Sequence, residues 1–109
     1  MATNDSIIDG VAGRYAAALF DLAKEASSTA SVEADLNTFQ ALLDESQDLL
    51  RMVRSPVISA EDQAKAMAAI LARVGIAGLA ANFLSLVAAN RRLFALTDII
   101  KAFRAIAAR

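Results

Sequence analysis

The residue types that most often carry catalysis or bind metals are scarce in this chain of 109 residues. It contains no histidine and no cysteine, which removes the commonest general base, the commonest transition-metal ligand and every disulfide. Two carboxylates, Glu61 and Asp62, stand side by side, but adjacent residues of a helix do not face one another. Their position favours the start of a helix, where the helix dipole stabilises negative charge.

The glycines and the basic residues supply no further chemistry. Gly10 and Gly13 lack the third glycine and the preceding strand of a dinucleotide-binding fingerprint. The basic pair Arg91 and Arg92 is typical of a solvated helix end. No nucleophile, base and oxyanion donor come together. We therefore predict that the protein is not an enzyme and needs no metal, nucleotide or other cofactor.

Composition predicts an all-α protein of one domain. Hydrophobic residues make up 57% of the chain and charged residues 21%, with four glycines and one proline. Alanine, the best helix former, supplies about a quarter of the residues and lets helices approach closely. The formal net charge is -1 and no basic face stands out, so we expect no nucleic-acid partner.

One uncharged stretch, residues 74–90, has the composition of a possible membrane span. It lies between Arg73 and Arg91, but it contains glycines and polar residues and falls short of the roughly 20 residues that a span needs. Residues 1–6 are polar and lack the pattern of a signal peptide. A buried core helix is the better interpretation, and we expect no direct membrane insertion.

Apolar spacing, capping residues and breakers predict six helices joined by short connections, as in an antiparallel bundle. Ser6 and Ser59 each precede an aspartate by three residues, the spacing of a capping box. Ser31 is the predicted N-cap of the second helix, and Gly75 is the predicted C-cap of the fourth. The predicted segments are 6–25, 31–45, 49–53, 59–75, 76–90 and 94–107.

The predicted helices differ in the width of their apolar faces. At about 100° per residue, the large apolar residues of the second helix form a stripe of roughly 60°, typical of a helix that packs on one side. The apolar residues of the first helix cover roughly 200°. One line along this helix consists of Val11, Tyr15, Ala18 and Leu22. The apolar face continues from that line through Leu19 to Ala16, Phe20 and Ala23.

The fifth helix has two apolar ridges. They consist of Leu79, Phe83 and Leu86 on one side and Ala80, Leu84 and Val87 on the other. In one interpretation, the first and fifth helices are central and buried by their neighbours. In the other, one ridge of each faces the core while the second lines an open groove for an amphipathic partner helix. Helical-wheel geometry alone does not decide between them.

Several segments resemble one known family, the delta subunits of F-type ATP synthases, called OSCP in mitochondria. Residues 12–20 read AGRYAAALF, which is similar to the opening signature of that family. NRRL at 90–93, followed by IIKAF at 99–103, resembles the family's Asn-Gly-Arg-Leu and the amphipathic helix after it. SPV at 55–57 falls at the family's junction between the third and fourth helices. The resemblance covers essentially the whole chain.

The resemblance implies a six-helix bundle in the peripheral stalk, or stator, and no catalysis. Such a domain sits on the catalytic head and binds the N-terminal helix of an alpha subunit, which helps hold the head against rotation during proton-driven ATP synthesis. Its location is the cytoplasmic face of the bacterial inner membrane, or the matrix side in mitochondria. The alpha helix lies against the first and fifth helices. The corresponding residues here are Val11, Tyr15, Ala18, Leu22, Leu79, Asn82, Phe83 and Leu86.

Two departures from the family pattern lead to further expectations. Arg91 stands where the family often has glycine, so we expect a different backbone geometry at the end of the fifth helix. Family members also continue into a C-terminal region that contacts the b-subunit stalk, whereas this chain stops at Arg109. We therefore expect residues 1–109 to be a single isolated N-terminal domain, able to bind alpha and lacking the link to the stalk.

Two functions of other classes stay open. A helical DNA-binding or regulatory domain would use the fourth helix, the turn at Gly75 and the fifth helix as a helix-turn-helix. The fifth helix has almost no positive charge for the phosphate contacts that dominate such binding. A self-associating bundle would instead bury the groove in a homodimer. We expect a monomer when no partner is present.

Overall fold

The computed structural model describes residues 10–109, and every regular element within them is helical. The prediction of an all-α fold with six helices is confirmed for this part of the chain. The capping box predicted at Ser6 lies outside the described residues. The elements are α1 (Val11–Glu25), α2 (Thr29–Glu45), α3 (Gln47–Arg54), α4 (Ala60–Val74), α5 (Gly78–Ala89), a 3₁₀ turn (Leu93–Ala95) and α6 (Leu96–Ala107).

Serine side chains cap two of these helices. The Ser59 Oγ accepts a hydrogen bond of 3.0 Å from the backbone N–H of Asp62, as predicted for the start of α4. Ser46 caps α3 through the backbone N–H of Leu49 at 3.1 Å. Because this cap satisfies a free donor of the first turn, α3 begins at Gln47, earlier than the predicted segment.

The prediction of Ser31 as the N-cap of α2 is wrong. This helix begins at Thr29, after Ser28. The carbonyl of Ser28 already accepts a helical hydrogen bond of 2.9 Å from the N–H of Val32. Ser31 is therefore an exposed residue inside the first turn, where its hydroxyl has no capping role.

Three helices end at a residue in the left-handed backbone conformation, a common C-terminal motif. Gly75 ends α4 with φ of +78°, as its predicted role requires. The N–H of Ile76 then bonds to the carbonyl of Leu71 at 3.0 Å. The side chain of Ile76 is buried, and α5 begins at Gly78, two residues later than predicted. Ser27 takes the same left-handed position after α1, with φ of +53°.

Arg91 takes this position after α5, with φ of +58°. The N–H groups of Arg91 and Arg92 bond to the carbonyls of Ala88 and Val87 at 3.0 and 2.9 Å, which is the pattern of a Schellman motif. That this end differs from that of relatives with glycine at this position stays a prediction. The two hydrogen bonds hold the arginine in a conformation that glycine adopts with less strain.

The helix α6 contributes five side chains to the buried core. Its buried side chains are those of Leu96, Ile99, Ile100, Ala102 and Phe103. Both α1 and α2 pack on α6, whereas α5 packs mainly on α4. The backbones of α1 and α5 are not a closely packed pair, so any contact between these two helices depends on their side chains.

Candidate partner-binding groove

The apolar face of α1 divides into a covered part and an accessible part. Ala16, Leu19 and Ala23 are fully buried in the core. On the neighbouring line, Val11 and Leu22 keep 42% and 50% of their surface exposed. Ala18 is exposed on the same line, and Tyr15 is half-buried. The core therefore covers only part of the wide apolar face of α1, and the rest is exposed.

The two ridges of α5 divide in a similar way, with one exception. Ala80, Leu84 and Val87 are fully buried, whereas Leu86 on the other ridge is 51% exposed. On that second side Asn82 is exposed and Leu79 is half-buried. Phe83 is the exception: it was assigned to the open ridge, but only 7% of it is accessible. Its ring therefore lies beneath the surface, in contact with Tyr15, and offers a partner little accessible area.

Tyr15 connects α1 to α5. Its ring meets the ring of Phe83 edge-on, with centroids 6.2 Å apart and planes inclined at 72°. The side-chain Nδ2 of Asn90 donates a hydrogen bond of 3.1 Å to the Tyr15 hydroxyl. This geometry fixes the ring of Tyr15 across the gap between two helices whose backbones are not closely packed.

Asn90 is a residue of this surface that helical-wheel analysis missed. It belongs to the NRRL motif that resembles the family pattern. It also follows Phe83 by two helical turns and so lies on the same side of α5. This spacing predicts that Asn90 lies beside the ridge that contains Phe83. Its pairing with Tyr15, however, joins residues 75 positions apart, and helix periodicity carries no information about such a contact.

We define the apolar groove as the surface formed by Val11, Tyr15, Ala18, Leu22, Leu79, Asn82, Phe83 and Leu86. The helix α5 contributes no charged residue to it, whereas α1 places exposed Arg14, Asp21 and Glu25 beside it. An apolar strip with charges along one edge matches the face of an amphipathic helix. The structure shows a contact between predicted residues of the two helices, that of Tyr15 with Phe83, and the binding of a partner to this surface stays a prediction.

Residues 10–109 contain neither a metal-binding cluster nor a membrane-spanning helix. No group of three or more acidic, histidine or cysteine side chains that would hold a metal ion is found in that range. Within the same range, no helix has the length and apolar character needed to cross a membrane.

Known proteins similar to this chain share one description. The family model for the ATP synthase delta (OSCP) subunit matches residues 11–109. Curated proteins named ATP synthase subunit delta are 57% identical in Nitrobacter winogradskyi, 53% in Bradyrhizobium diazoefficiens and 59% in Mesorhizobium japonicum. These alignments cover 100%, 100% and 99% of this chain. No solved structure gives a significant match.

The same alignments cover only part of the relatives. The chain spans 59%, 59% and 58% of the lengths of these three proteins, respectively. All eight residues of the apolar groove fall within the residues that the family model matches.

Proposed function

This chain belongs to the ATP synthase delta (OSCP) subunit family, and we propose that its apolar groove binds the N-terminal helix of an alpha subunit. The observation that supports this most directly is the exposure of Val11 and Leu22 on α1 and of Leu86 on α5. Large apolar side chains grouped on one surface usually mark an interaction site. An amphipathic helix is the partner that a long apolar strip between two helices fits best.

The detailed shape of the groove suits a helix that approaches closely. Ala18 lies exposed between Tyr15 and Leu22 along α1, and its small side chain leaves room for a partner's larger one. The ring of Tyr15 is held from below by Phe83 and from the side by Asn90. A ring that is already immobilised loses little conformational entropy on binding, which favours affinity.

In the complex, this binding would hold the catalytic head against rotation as part of the peripheral stalk. The head would then stay stationary while proton flow drives ATP synthesis, and the domain itself would catalyse nothing. We place the protein at the cytoplasmic face of the bacterial membrane, attached through other subunits. Because the chain spans 59% of the Nitrobacter winogradskyi relative, we assign contact with the b-subunit stalk to the remaining part of a longer subunit.

Titration calorimetry with a synthetic peptide of the alpha N-terminus from the same organism tests the proposal. We expect binding with one peptide per domain, and we expect Ala18→Asp to weaken it about a hundredfold. The partner helix would desolvate the new carboxylate without supplying a counter-ion, and a hundredfold loss corresponds to about 2.8 kcal/mol. The domain itself should remain folded, because Ala18 is exposed.

Ala68→Asp is the matched control for this experiment. Ala68 is also an exposed alanine within a helix, α4, but it lies outside the groove. The control variant should bind the alpha peptide like the original chain. If both variants bind equally well, the peptide occupies another surface. If the original chain does not bind the peptide at all, the proposed function is wrong.

Sedimentation at several protein concentrations separates a partner helix from a second copy of the chain. We expect a monomer, whose apolar groove is free for alpha. A dimer that dissociates on Ala18→Asp would show instead that the groove is a homodimer interface.

A further inference from the structure

A second surface lies where the end of α3, the α3–α4 connection and the turn after α5 meet. It contains a cavity of about 260 Å³. The lining residues are Val53, Arg54, Ser55, Pro56, Gln63, Arg91, Leu93 and Phe94. Because three separate parts of the chain form its walls, the cavity exists only in the folded protein.

Buried Gln63 gives this cavity a rigid wall. Its side-chain Nε2 donates hydrogen bonds to the backbone carbonyls of Met52 at 3.0 Å and Ser55 at 3.4 Å. These bonds tie the first turns of α4 to the end of α3, where Arg54 is located. A wall held in this way is ordered before any ligand binds, which reduces the entropy lost on binding.

Two guanidinium groups line the cavity without an acidic neighbour. Neither Arg54 nor Arg91 forms an ion pair with any acidic side chain of residues 10–109, whereas nearby Arg51 is paired with Asp48 at 3.1 Å. The two arginines come from different helix ends, so the fold itself places like charges beside one cavity. An anion bound in the cavity would be attracted by both charges.

Apolar side chains surround the charged part of this surface. Phe94 lines the cavity and is 59% exposed, and Val57, next to Pro56 in the chain, is almost completely exposed. Exposed aromatic and aliphatic groups beside arginines are typical of surfaces that bind protein segments, in which Arg and Phe are enriched. A small inorganic anion would leave this apolar surface uncovered.

The backbone conformation at Arg91 allows its side chain to be removed without destabilising the fold. The residue adopts a left-handed φ of +58°, in which any residue with a Cβ is strained. Glycine would relieve that strain but would remove a guanidinium from the cavity.

We propose that this surface, the Arg54/Arg91 cavity, binds an acidic peptide segment of a partner protein, with an apolar side chain next to its carboxylates. Two arginines select carboxylates because their N–H groups match the geometry of carboxylate oxygens. Phe94 and Pro56 supply the contact for the apolar side chain. A volume of about 260 Å³ suits one or two side chains and lies below the roughly 300–1,000 Å³ of most small-molecule sites.

A library of eight-residue synthetic peptides that combine glutamate, aspartate, leucine and phenylalanine tests the proposal. Each peptide is paired with a counterpart in which every acid is replaced by its amide. Binding is followed by NMR through the backbone signals of Arg54, Arg91 and Phe94 in the whole chain. We expect some acidic peptides to shift these signals, with affinities about tenfold or more above those of their amide counterparts. Higher salt should weaken binding.

Variants of the two arginines make the test specific. Arg54→Gln and Arg91→Gly should each weaken peptide binding about five- to tenfold, because each removes a charge-assisted hydrogen bond. Arg73→Gln is the matched control, since it removes the same charge from an exposed residue of α4 outside the cavity. Arg91→Gly relieves backbone strain and should resist urea better than the original chain. If it nevertheless binds the peptide more weakly, unfolding is excluded as the cause.

Three results would overturn the proposal. The first is that no acidic peptide binds more tightly than its amide counterpart. The second is that Arg73→Gln weakens binding as much as the cavity variants do. The third is that inorganic phosphate alone produces the same shifts at the same concentration, which would indicate a simple anion site. Ala18→Asp should leave this binding unchanged, so the cavity and the apolar groove are tested separately.

Discussion

The hydroxyl of Tyr15 on α1 accepts a hydrogen bond from the Asn90 side chain at the end of α5, although 75 positions separate the two residues. The same Tyr15 ring meets Phe83 edge-on. Together these contacts link two helices that pack mainly on other neighbours, α6 and α4. The apolar groove therefore depends on one aromatic side chain for the spacing of its two sides.

Two substitutions at Tyr15 separate the role of its ring from that of its hydroxyl. Tyr15→Phe should lower the free energy of unfolding by less than about 1 kcal/mol, because the lost hydrogen bond is exposed to water. Tyr15→Ala should cost roughly 2 kcal/mol, since it removes both the buried part of the ring and the edge-on contact with Phe83. Urea unfolding followed by circular dichroism measures both values. Equal losses would mean that the ring contributes little.

An aspartate should destabilise the fold more on one side of α1 than on the other. Phe20 is partly buried against the core and packs edge-on against Phe103, with ring centroids 5.7 Å apart. The Lys24 ammonium lies 5.9 Å from the centroid of the Phe20 ring. Phe20→Asp should therefore destabilise the bundle by about 2 kcal/mol or more. Ala18→Asp should cost less than about 1 kcal/mol, because Ala18 is exposed. Thermal unfolding of both variants tests this, and the reverse order would mean that the faces of α1 are wrongly assigned.

Replacing Ser59, which caps α4, should destabilise the fold, whereas replacing Ser31, which caps no helix, should not. Ser59→Ala removes the hydrogen bond to the N–H of Asp62 at the start of α4 and should cost about 1 kcal/mol. Ser31→Ala places a better helix former inside the first turn of α2 and should be neutral or stabilise the fold by up to about 0.5 kcal/mol. Urea midpoints compare the two. A clear loss at Ser31 would restore it as a cap.

Glycine should stabilise two helix ends that now carry other residues. Ser27 and Arg91 both have left-handed backbones, so Ser27→Gly and Arg91→Gly should each raise the free energy of unfolding by about 0.5–1 kcal/mol. That gain is the relieved strain minus the extra freedom of glycine in the unfolded chain. Thermal unfolding is a suitable measurement.

Gly75→Ala provides the opposite control for those helix ends. A Cβ added at Gly75 would meet no atom within 4 Å, so no steric clash is expected. Only the left-handed φ of +78° opposes the change, and the loss should be about 1 kcal/mol. A stabilising effect of this substitution would contradict the account given for all three helix ends.

Most residues of the apolar groove could be predicted from the sequence, because they recur at helical spacing along α1 and α5. The lines through Val11 and Tyr15 on α1 and through Leu79 and Leu86 on α5 follow directly from helical periodicity. Periodicity gives the direction of each side chain relative to its own helix axis only. It therefore missed that Phe83 is covered, because the covering involves Tyr15 from another helix.

Residue types and their spacing were sufficient to predict the helical fold, the cap at Ser59 and the end of α4 at Gly75. Those features depend on interactions among residues a few positions apart, which residue types and spacing describe fully. Which ridge of each wide helix stays exposed depends on how the helices pack, and the folded structure was needed to show it. It was also needed to show that Arg54 and Arg91 share one cavity, because that meeting follows from how α3, α4 and α5 pack, and packing depends on the whole bundle.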